Sequence, residues 1–433
     1  MRRVLLATHS LSFRFAPRVA LTLLLVLAAA AAAARAEPAH RTLLREAAEA
    51  AKAGDTEQAL AKLAAARDQR PDYPRVRLNL ARTLAHAGRL AEAQAELDLL
   101  ARMGLALDPA RDPSLQRLVD QPGFGRTSEH FAANARPHGA GELAFRLDAM
   151  PGIVEGLACH PATGDWFFGD VHERCVWQRS ADGTRLERFT PREDALLGVF
   201  DVAVDEARGA LWLATALVPE SGDYLEAGKG HAELVEYDLA ARVIRRRLDL
   251  PVAPAGRALG SLTVAADGTV YATDSAANEI WSVRPAARRA ELVLAHPDFV
   301  SLQGLALADG DRTLFVADYT NGLWRIDLAS RRTDLLPAPA DTTLFGLDGL
   351  AAAPGGLIAV QNGITPARVI RIDLDDQGRP RAVRPLEAAH PAMKDPTLGR
   401  IVGDHFVFIG DAGWSRDASA AVRSIPVFRT LLN

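Results

Sequence analysis

The pattern of apolar and polar positions changes near residue 140 of this 433-residue chain. Beyond that point, short apolar runs alternate with turns rich in Gly and Asp, a pattern typical of the strands of an all-β fold. The runs come in groups of three: "EGLACHP", for example, is followed by "DWFFGD" and then by "CVWQRS". Each group therefore predicts a meander of three or four antiparallel strands.

These groups recur along the chain. Their first runs begin at Glu155, Asp201, Gly260, Gln303 and Asp348, which are 46, 59, 43 and 45 residues apart. A sixth group is indicated by "TLGRIVGDHFVFIGDAGW" at residues 397–414. Periods of this length with short strands indicate a β-propeller, in which radial repetition protects the sheet edges. We therefore predict a mainly β protein with a six-bladed β-propeller over residues 140–433, closed by pairing of "GELAFRLDAM" with "SIPVFRTLL".

Residues 40–105 have helical periodicity instead. The stretch "AKAGDTEQALAKLAAA" returns 34 residues later as "AHAGRLAEAQAELDLL", so that Gly54 matches Gly88. This period resembles the tetratricopeptide repeat. Because two repeats cannot bury their apolar faces alone, we expect the small helical domain, residues 37–125, to pack on "DPSLQRLVDQPGF" and on the propeller. The domain is either a peptide-binding groove or a packing spacer, and the small number of repeats favours the spacer.

The first 36 residues have the layout of a secretory signal peptide. Arginines precede the apolar run "VALTLLLVLAAAAAAA", and Ala34–Arg35–Ala36 offers a small-x-small cleavage site before Glu37. The alternative is a transmembrane anchor, but the 16 apolar residues fall short of the usual spanning length. We expect a periplasmic or secreted mature protein that has no membrane span.

Composition and cysteine placement bear on the class of protein and on whether it contains a disulfide. With 48% hydrophobic residues the chain is ordinary for a globular protein, and its formal net charge of −4 gives no support for a nucleic-acid surface. Export would permit a disulfide between Cys159 and Cys175. These residues fall on the first and third strands of one group, which lie about 9.6 Å apart. A disulfide needs Cα atoms within about 7 Å, so we expect two free thiols.

The residues that open the first strands are the candidate functional residues. The first strand of each propeller blade lines the central channel, so Glu155, Asp201, Gln303 and Asp348 should converge at one mouth, with Gly260 leaving room. Three carboxylates and an amide around one axis favour a hard divalent cation, and such oxygen ligands suit Ca²⁺ or Mg²⁺. The alternative is that these polar residues simply hold water.

Residues 150–415 resemble the gluconolactonase and senescence-marker-protein (regucalcin) family of six-bladed propellers. The resemblance rests on "EGLACHPATGDWFFGDVHERCVW", "QGLALADGDRTLFVADY" and "DGLAAAPGGLIAV". It implies one divalent cation held by Glu155, Gln303 and Asp348, with Asp348 as the base in lactone hydrolysis. Ca²⁺ is the expected ion, with Zn²⁺, Mn²⁺ and Mg²⁺ as alternatives. Two positions depart from the family, because Gln303 replaces one Asn and Gly260 replaces another.

Loops between second and third strands should rim the same mouth. They carry His172, Tyr319 and Asn362, and the longest of them, residues 216–233, carries Tyr224 and His231. A loop of that length is more often functional than not, so we expect it to form a lid. The candidate substrate-binding residues are Asp201, His172, Tyr224 and Tyr319.

Three interpretations of function follow. The first is a metal-dependent lactonase or related ester hydrolase. The second is a non-catalytic propeller that binds a small molecule or a protein, with the helical repeats as an interaction surface. The third is a scaffold with a vestigial mouth. A propeller fold does not decide among them, because function depends on the site that the fold carries.

Overall fold

The computed structural model describes residues 38–414 and 422–432. The predicted signal peptide, residues 1–36, lies outside the described residues, so its cleavage and the expected export stay predictions. No helix in the described part of the chain is long and apolar enough to cross a membrane.

The N-terminal region is helical. Gly54 and Gly88 follow the first helix of each repeat with φ of 80° and 81°, a left-handed conformation that glycine adopts without steric cost. The apolar core of this region includes Leu115, Leu118 and Phe124, so the repeats pack on the "DPSLQRLVDQPGF" segment as expected. The helices are α1 (Ala39–Lys52), α2 (Thr56–Gln69), α3 (Pro74–His86), α4 (Leu90–Arg102) and α5 (Phe124–Asn134), with 3-10 turns at Pro109–Arg111 and Pro113–Leu118.

The remainder forms six four-stranded antiparallel sheets arranged around one axis, which confirms the six-bladed propeller. Blade 1 contains β2 (Val154–Cys159), β3 (Trp166–Asp170), β4 (Cys175–Arg179) and β5 (Leu186–Arg188). Blade 2 contains β6 (Gly198–Asp205), β7 (Ala210–Ala216), β8 (Ala232–Asp238) and β9 (Val243–Asp249). Blade 3 contains β10 (Leu259–Val264), β11 (Val270–Asp274), β12 (Glu279–Val283) and β13 (Glu291–Ala295).

The last three blades follow the same order. Blade 4 contains β14 (Leu302–Ala308), β15 (Thr313–Asp318), β16 (Gly322–Asp327) and β17 (Thr333–Leu336). Blade 5 contains β18 (Leu347–Ala353), β19 (Gly356–Gln361), β20 (Arg368–Leu374) and β21 (Pro380–Ala388). Blade 6 contains β22 (Gly399–Val402), β23 (His405–Ile409) and β24 (Arg423–Leu431) and is completed by β1 (Glu142–Met150). β1 pairs with β24, so the ring closes through the two segments predicted from the sequence.

Close packing of the inner strands explains why a glycine follows several of the residues that open them. A Cβ atom at Gly304 would lie 2.5 Å from the carbonyl oxygen of Asp348 in the next blade. A Cβ atom at Gly349 would lie 2.7 Å from the carbonyl oxygen of Thr397. Any side chain here would collide with backbone, so the recurring glycine keeps the ring tight and brings the preceding polar residues close to the axis.

The two cysteines lie where the predicted strand order placed them. Cys159 ends β2 and Cys175 begins β4, with β3 between the two strands. Both thiols are free.

The helical region packs on the mouth-side loops of blades 4 and 5. Tyr73 stacks on Phe345 with ring centroids 4.0 Å apart, and the Arg70 guanidinium lies 4.3 Å from the same ring centroid. The buried Arg368 donates to the carbonyl oxygen of Met103 at 3.0 Å. The helical repeats therefore pack on the propeller as expected, next to the residues that form the mouth.

Candidate functional site at the channel mouth

A cavity of about 420 Å³ opens at the mouth of the channel. The structure brings four of the predicted site residues together in its wall: Glu155, Gln303, Asp348 and Tyr319. Gly260 also lines it. The remaining lining residues are Phe200, Ser275, Ser301, Asn362, Asp395, Thr397 and Trp414.

Asp348 is the most constrained of the predicted ligands. It lies near the start of β18 and is 8% exposed. Its Oδ2 accepts a hydrogen bond of 2.6 Å from the Asn362 amide, whose Nδ2 also donates to the carbonyl oxygen of Pro396 at 2.8 Å. Burial raises the pKa of Asp348 to about 7, and the nearby Asp395 and Asp201 carboxylates act in the same direction against the Asn362 hydrogen bond. Asn362 thereby fixes the orientation of the carboxyl group.

Glu155 faces the same cavity from β2. The Trp414 indole donates to its Oε2, and its backbone carbonyl accepts a hydrogen bond of 2.9 Å from the Thr397 hydroxyl. Burial raises the pKa of Glu155 well above its usual value, and the charge of Asp348 adds to the shift. Trp414 also packs against Phe200, with ring centroids 5.8 Å apart, so one wall of the cavity is aromatic.

Asp201 differs from the other carboxylates that open first strands. It is fully buried, and Nη2 of Arg400 on β22 contacts both of its carboxylate oxygens at 2.7 Å. The Ser261 hydroxyl and the Leu262 amide donate to Oδ2 as well, at 2.7 and 3.0 Å. Asp201 does not line the cavity. It joins blades 2, 3 and 6 across the channel, and the arginine neutralises its charge.

The other predicted substrate contacts lie elsewhere. His172 is half-buried and does not line the cavity, and its Nδ1 lies 2.8 Å from the carbonyl oxygen of Glu220. The Tyr224 hydroxyl donates to Glu226 at 2.7 Å, and His231 Nε2 lies 3.0 Å from Asp249 Oδ1. No residue of the expected lid, 216–233, lines the mouth cavity. This loop instead packs along blade 1, because the Gly222 amide donates to the carbonyl oxygen of His172 at 2.8 Å.

The lining residues that sequence analysis did not assign to the site include Asp395, Thr397 and Trp414. The first two lie on the irregular segment between β21 and β22, and Trp414 follows β23. None opens a first strand, so the repeat pattern gave no signal for them. The signal that could have found Asp395 is its place just before the sixth group, in a segment that must cross the mouth to reach the innermost strand.

The polar atoms of the cavity fit a hard cation. Asn362 Oδ1 and Asp395 Oδ2 are buried and have no hydrogen-bond partner. The side chains that line the cavity include three carboxylates and no Lys, Arg or His. Carboxylate and amide oxygens are the ligands that Ca²⁺ takes, and a cation would compensate charge that is otherwise unpaired.

The candidate ligand oxygens of the mouth cavity are not tightly clustered. Among the described residues, one set of three His, Cys, Asp or Glu side chains has ligand atoms within 4.8 Å of one another, namely His231, Glu233 and Asp249 on blade 2. The three mouth carboxylates do not all lie within that distance of one another. Oxygens on opposite sides of a Ca²⁺ ion are separated by about 5 Å, so amide oxygens and water would complete the shell at the mouth.

Comparison with known proteins assigns the N-terminal region. Residues 50–105 match the tetratricopeptide-repeat family model. A search of curated protein sequences found no match. Residues 50–105 of the helical region are thus a tetratricopeptide-repeat segment, while the propeller is defined by its own strand topology.

Solved structures with the same propeller architecture are similar only at low identity. A gluconolactonase from Xanthomonas campestris is 18% identical over 70% of this chain and 93% of that one, with a TM-score of 0.46. A calcium-binding regucalcin from Agrobacterium tumefaciens is 16% identical over 66% of this chain and 93% of that one, with a TM-score of 0.46. The PQQ-bound aldose sugar dehydrogenase from Streptomyces coelicolor is 14% identical over 68% of this chain and all of that one, with a TM-score of 0.47.

Proposed function

We propose that this protein is a divalent-cation-dependent hydrolase of a lactone or related ester, with its site at the channel mouth. The observation that carries the proposal is the convergence of two buried carboxyl groups, Glu155 and Asp348, with the Gln303 amide in one cavity that holds no cationic side chain. The family resemblance of the sequence assigns these same three residues as cation ligands.

The cation, held by Glu155, Gln303 and Asp348, would supply Lewis-acid polarisation of the substrate carbonyl. Asp348 accepts a proton from the attacking water, and the hydrogen bond from Asn362 to its Oδ2 orients the carboxylate for this role. Water adds to the carbonyl carbon, and the ring C–O bond then breaks with protonation of the leaving oxygen. The proton that Asp348 accepted passes to this oxygen. Tyr319 stays protonated, because burial and the charge of Asp348 raise the pKa of its hydroxyl, and it can donate a hydrogen bond to the substrate.

The aromatic wall supports binding as a second candidate function. Phe200 and Trp414 offer an apolar surface beside a lining of serine, threonine and amide groups. Such a cavity suits a neutral ring compound with polar substituents. A non-catalytic propeller of this kind would bind the lactone without turning it over, with the tetratricopeptide repeats as a contact surface for a protein partner.

The test uses the purified mature chain. Calorimetry with Ca²⁺, Mn²⁺ and Zn²⁺ should show one bound cation, and a lactone panel should show hydrolysis that a chelator abolishes and the cation restores. Binding of cation and lactone without turnover would favour the second function. If none of the three ions binds at millimolar concentration, the cation-dependent mechanism is wrong.

We also propose that this chemistry takes place after export. The layout of residues 1–36 supports this, and N-terminal sequencing of periplasmic or secreted protein should begin at or near Glu37. Membrane-bound protein with an intact N-terminus would contradict it.

A further inference from the structure

Asp395 is held in a fixed position at the mouth by blade 6. Its backbone amide donates to the carbonyl oxygen of Gly410 at 3.3 Å, and its own carbonyl accepts from the Ala412 amide at 2.9 Å. It also forms an isolated β-bridge with Asp411. The carboxylate is thus carried by an anchored backbone, although it belongs to no strand of the repeat.

The two residues after Asp395 contact both neighbouring blades. The carbonyl oxygen of Pro396 accepts from Asn362 of blade 5, and the hydroxyl of Thr397 donates to the backbone of Glu155 in blade 1. Asp395 therefore lies between the two carboxyl groups that the proposed function uses. Its charge acts on both of them and on Tyr319.

Two oxygen atoms in this sector are buried without a partner. They are Asp395 Oδ2 and Asn362 Oδ1. The Asn362 amide nitrogen is already committed to Asp348 and Pro396, so its oxygen is the atom left for a ligand. A buried acceptor without a partner is destabilising, and more so when it is charged. Two such acceptor atoms beside one cavity are therefore available to a ligand.

Arg400 on β22 does not satisfy them. Arg400 is committed to Asp201, and it also lies 3.3 and 3.4 Å from the carbonyl oxygens of Val202 and Leu262. The site thus has three carboxylates in its wall and no cationic side chain. Calcium affinity is tuned by the number of charged ligands, so a third carboxylate can offset an amide that is missing elsewhere.

We infer that Asp395 and Asn362 supply oxygen ligands to the cation, which would then lie toward blades 5, 6 and 1. This inference rests on the proposed function, because it concerns the same site. In this arrangement the oxygen lost at Gly260 and the longer amide at Gln303 are offset by donors on the opposite side of the mouth. The resemblance to the gluconolactonase family assigns neither Asp395 nor Asn362.

The test is calorimetric titration of Ca²⁺ into the mature wild type and its Asp395→Asn variant at fixed salt. Loss of one charged ligand should weaken binding by at least about tenfold. The matched control is Asp404→Asn, which removes the same charge from an exposed turn of the same blade and should bind as the wild type does. His231→Ala, which disrupts the carboxylate–histidine set on blade 2, should also leave binding unchanged.

A second measurement distinguishes a loss of cation binding from a folding defect. Saturating Ca²⁺ should raise the unfolding temperature of the wild type more than that of Asp395→Asn, because stabilisation follows the affinity. Asp395→Ser serves the same purpose if the Asn variant does not fold. Unchanged affinity in a folded Asp395 variant, together with loss of binding in Asp348→Ala, would overturn this inference and leave the proposed function standing. Absence of cation binding in the wild type would overturn both.

Discussion

Carboxylates serve opposite purposes on the two sides of the channel mouth. On blades 5, 6 and 1, Asp348, Asp395 and Glu155 line a cavity that contains no cationic side chain. On blades 2 and 3, Asp201 is neutralised by Arg400, and Gly260 contributes no side chain at all. The first side is the proposed cation site, whereas the Asp201–Arg400 pair of the second side joins neighbouring blades.

The difference shows that position in a propeller repeat does not decide the role of a residue. Asp201 and Asp348 both lie in the innermost strand of their blades, near its start. What separates them is the partner of each carboxylate, an arginine from blade 6 for Asp201 and an amide from its own blade for Asp348. A buried carboxylate that is paired with an arginine links parts of the protein to one another. A carboxylate without a cationic partner is available to a ligand.

The largest effect is expected on stability, from removal of the ion pair between Arg400 and Asp201. Arg400→Met would leave the fully buried Asp201 carboxylate without its cation, which should lower the free energy of unfolding by about 3–5 kcal/mol. Urea denaturation measures this loss. The double variant Asp201→Asn/Arg400→Met should recover part of the stability, because no charge is then left buried. A loss below about 1 kcal/mol in Arg400→Met would show that this pair does not hold the ring.

The next largest effect is expected on the acidic side of the mouth, which is the side formed by Asp348, Asp395 and Glu155. Asp348→Ala deletes a charged ligand and the proposed base, so cation affinity should fall by more than about 100-fold and hydrolysis should cease. Calorimetry and a lactone assay measure the two effects. Arg325→Ala, on the outer part of blade 4 and paired with Asp334, should change neither. Hydrolysis that survives in Asp348→Ala would exclude this residue as the base.

A smaller effect is expected where the helical unit meets the acidic side. Arg368 links Met103 to Gln361, the neighbour of Asn362, through its donation to Gln361 Oε1 at 2.7 Å. Arg368→Met should weaken cation binding by about tenfold, as the loss of a supporting hydrogen bond around a metal site does. The matched control is Arg371→Met on the same strand, which contacts Asp373 and Leu432 instead. Equal affinity in both variants would mean that the helical unit is only a spacer.

The smallest effect is expected at Gln303, which lies between the two sides. Its Nε2 donates to the Ser301 hydroxyl at 3.2 Å, so its side chain is only lightly held. Gln303→Asn restores the shorter amide of the family pattern and should leave cation affinity unchanged or raise it a few-fold, as calorimetry will show. A drop of tenfold or more would mean that the site does not derive from that pattern.

The fold could be predicted from the sequence because its signal is periodic. Each blade repeats the same apolar runs and turns, and the polar residue with its following glycine marks the innermost strand. Glu155, Gln303 and Asp348 could be placed at one mouth by this repeat alone. Ring closure through β1 and β24 followed from the need to cover a sheet edge.

The partners of these residues could not be predicted in the same way. Asp201 meets Arg400 across 199 residues of sequence, and Thr397 meets Glu155 across 242. Such contacts depend on how the blades are arranged around the axis. They also depend on irregular segments that do not belong to the sequence repeat. The long loop of blade 2 was assigned to the mouth by its length, but length does not give its direction, and the loop packs on blade 1.

The most direct test of the central claim is anomalous diffraction from crystals of the mature protein soaked in Mn²⁺. The account predicts one strong peak in the mouth cavity, within coordination distance of Glu155, Asp348 and Asp395 oxygens. A peak at His231, Glu233 and Asp249 instead, or no peak at the mouth at millimolar Mn²⁺, would contradict the assignment of the acidic side as a cation site.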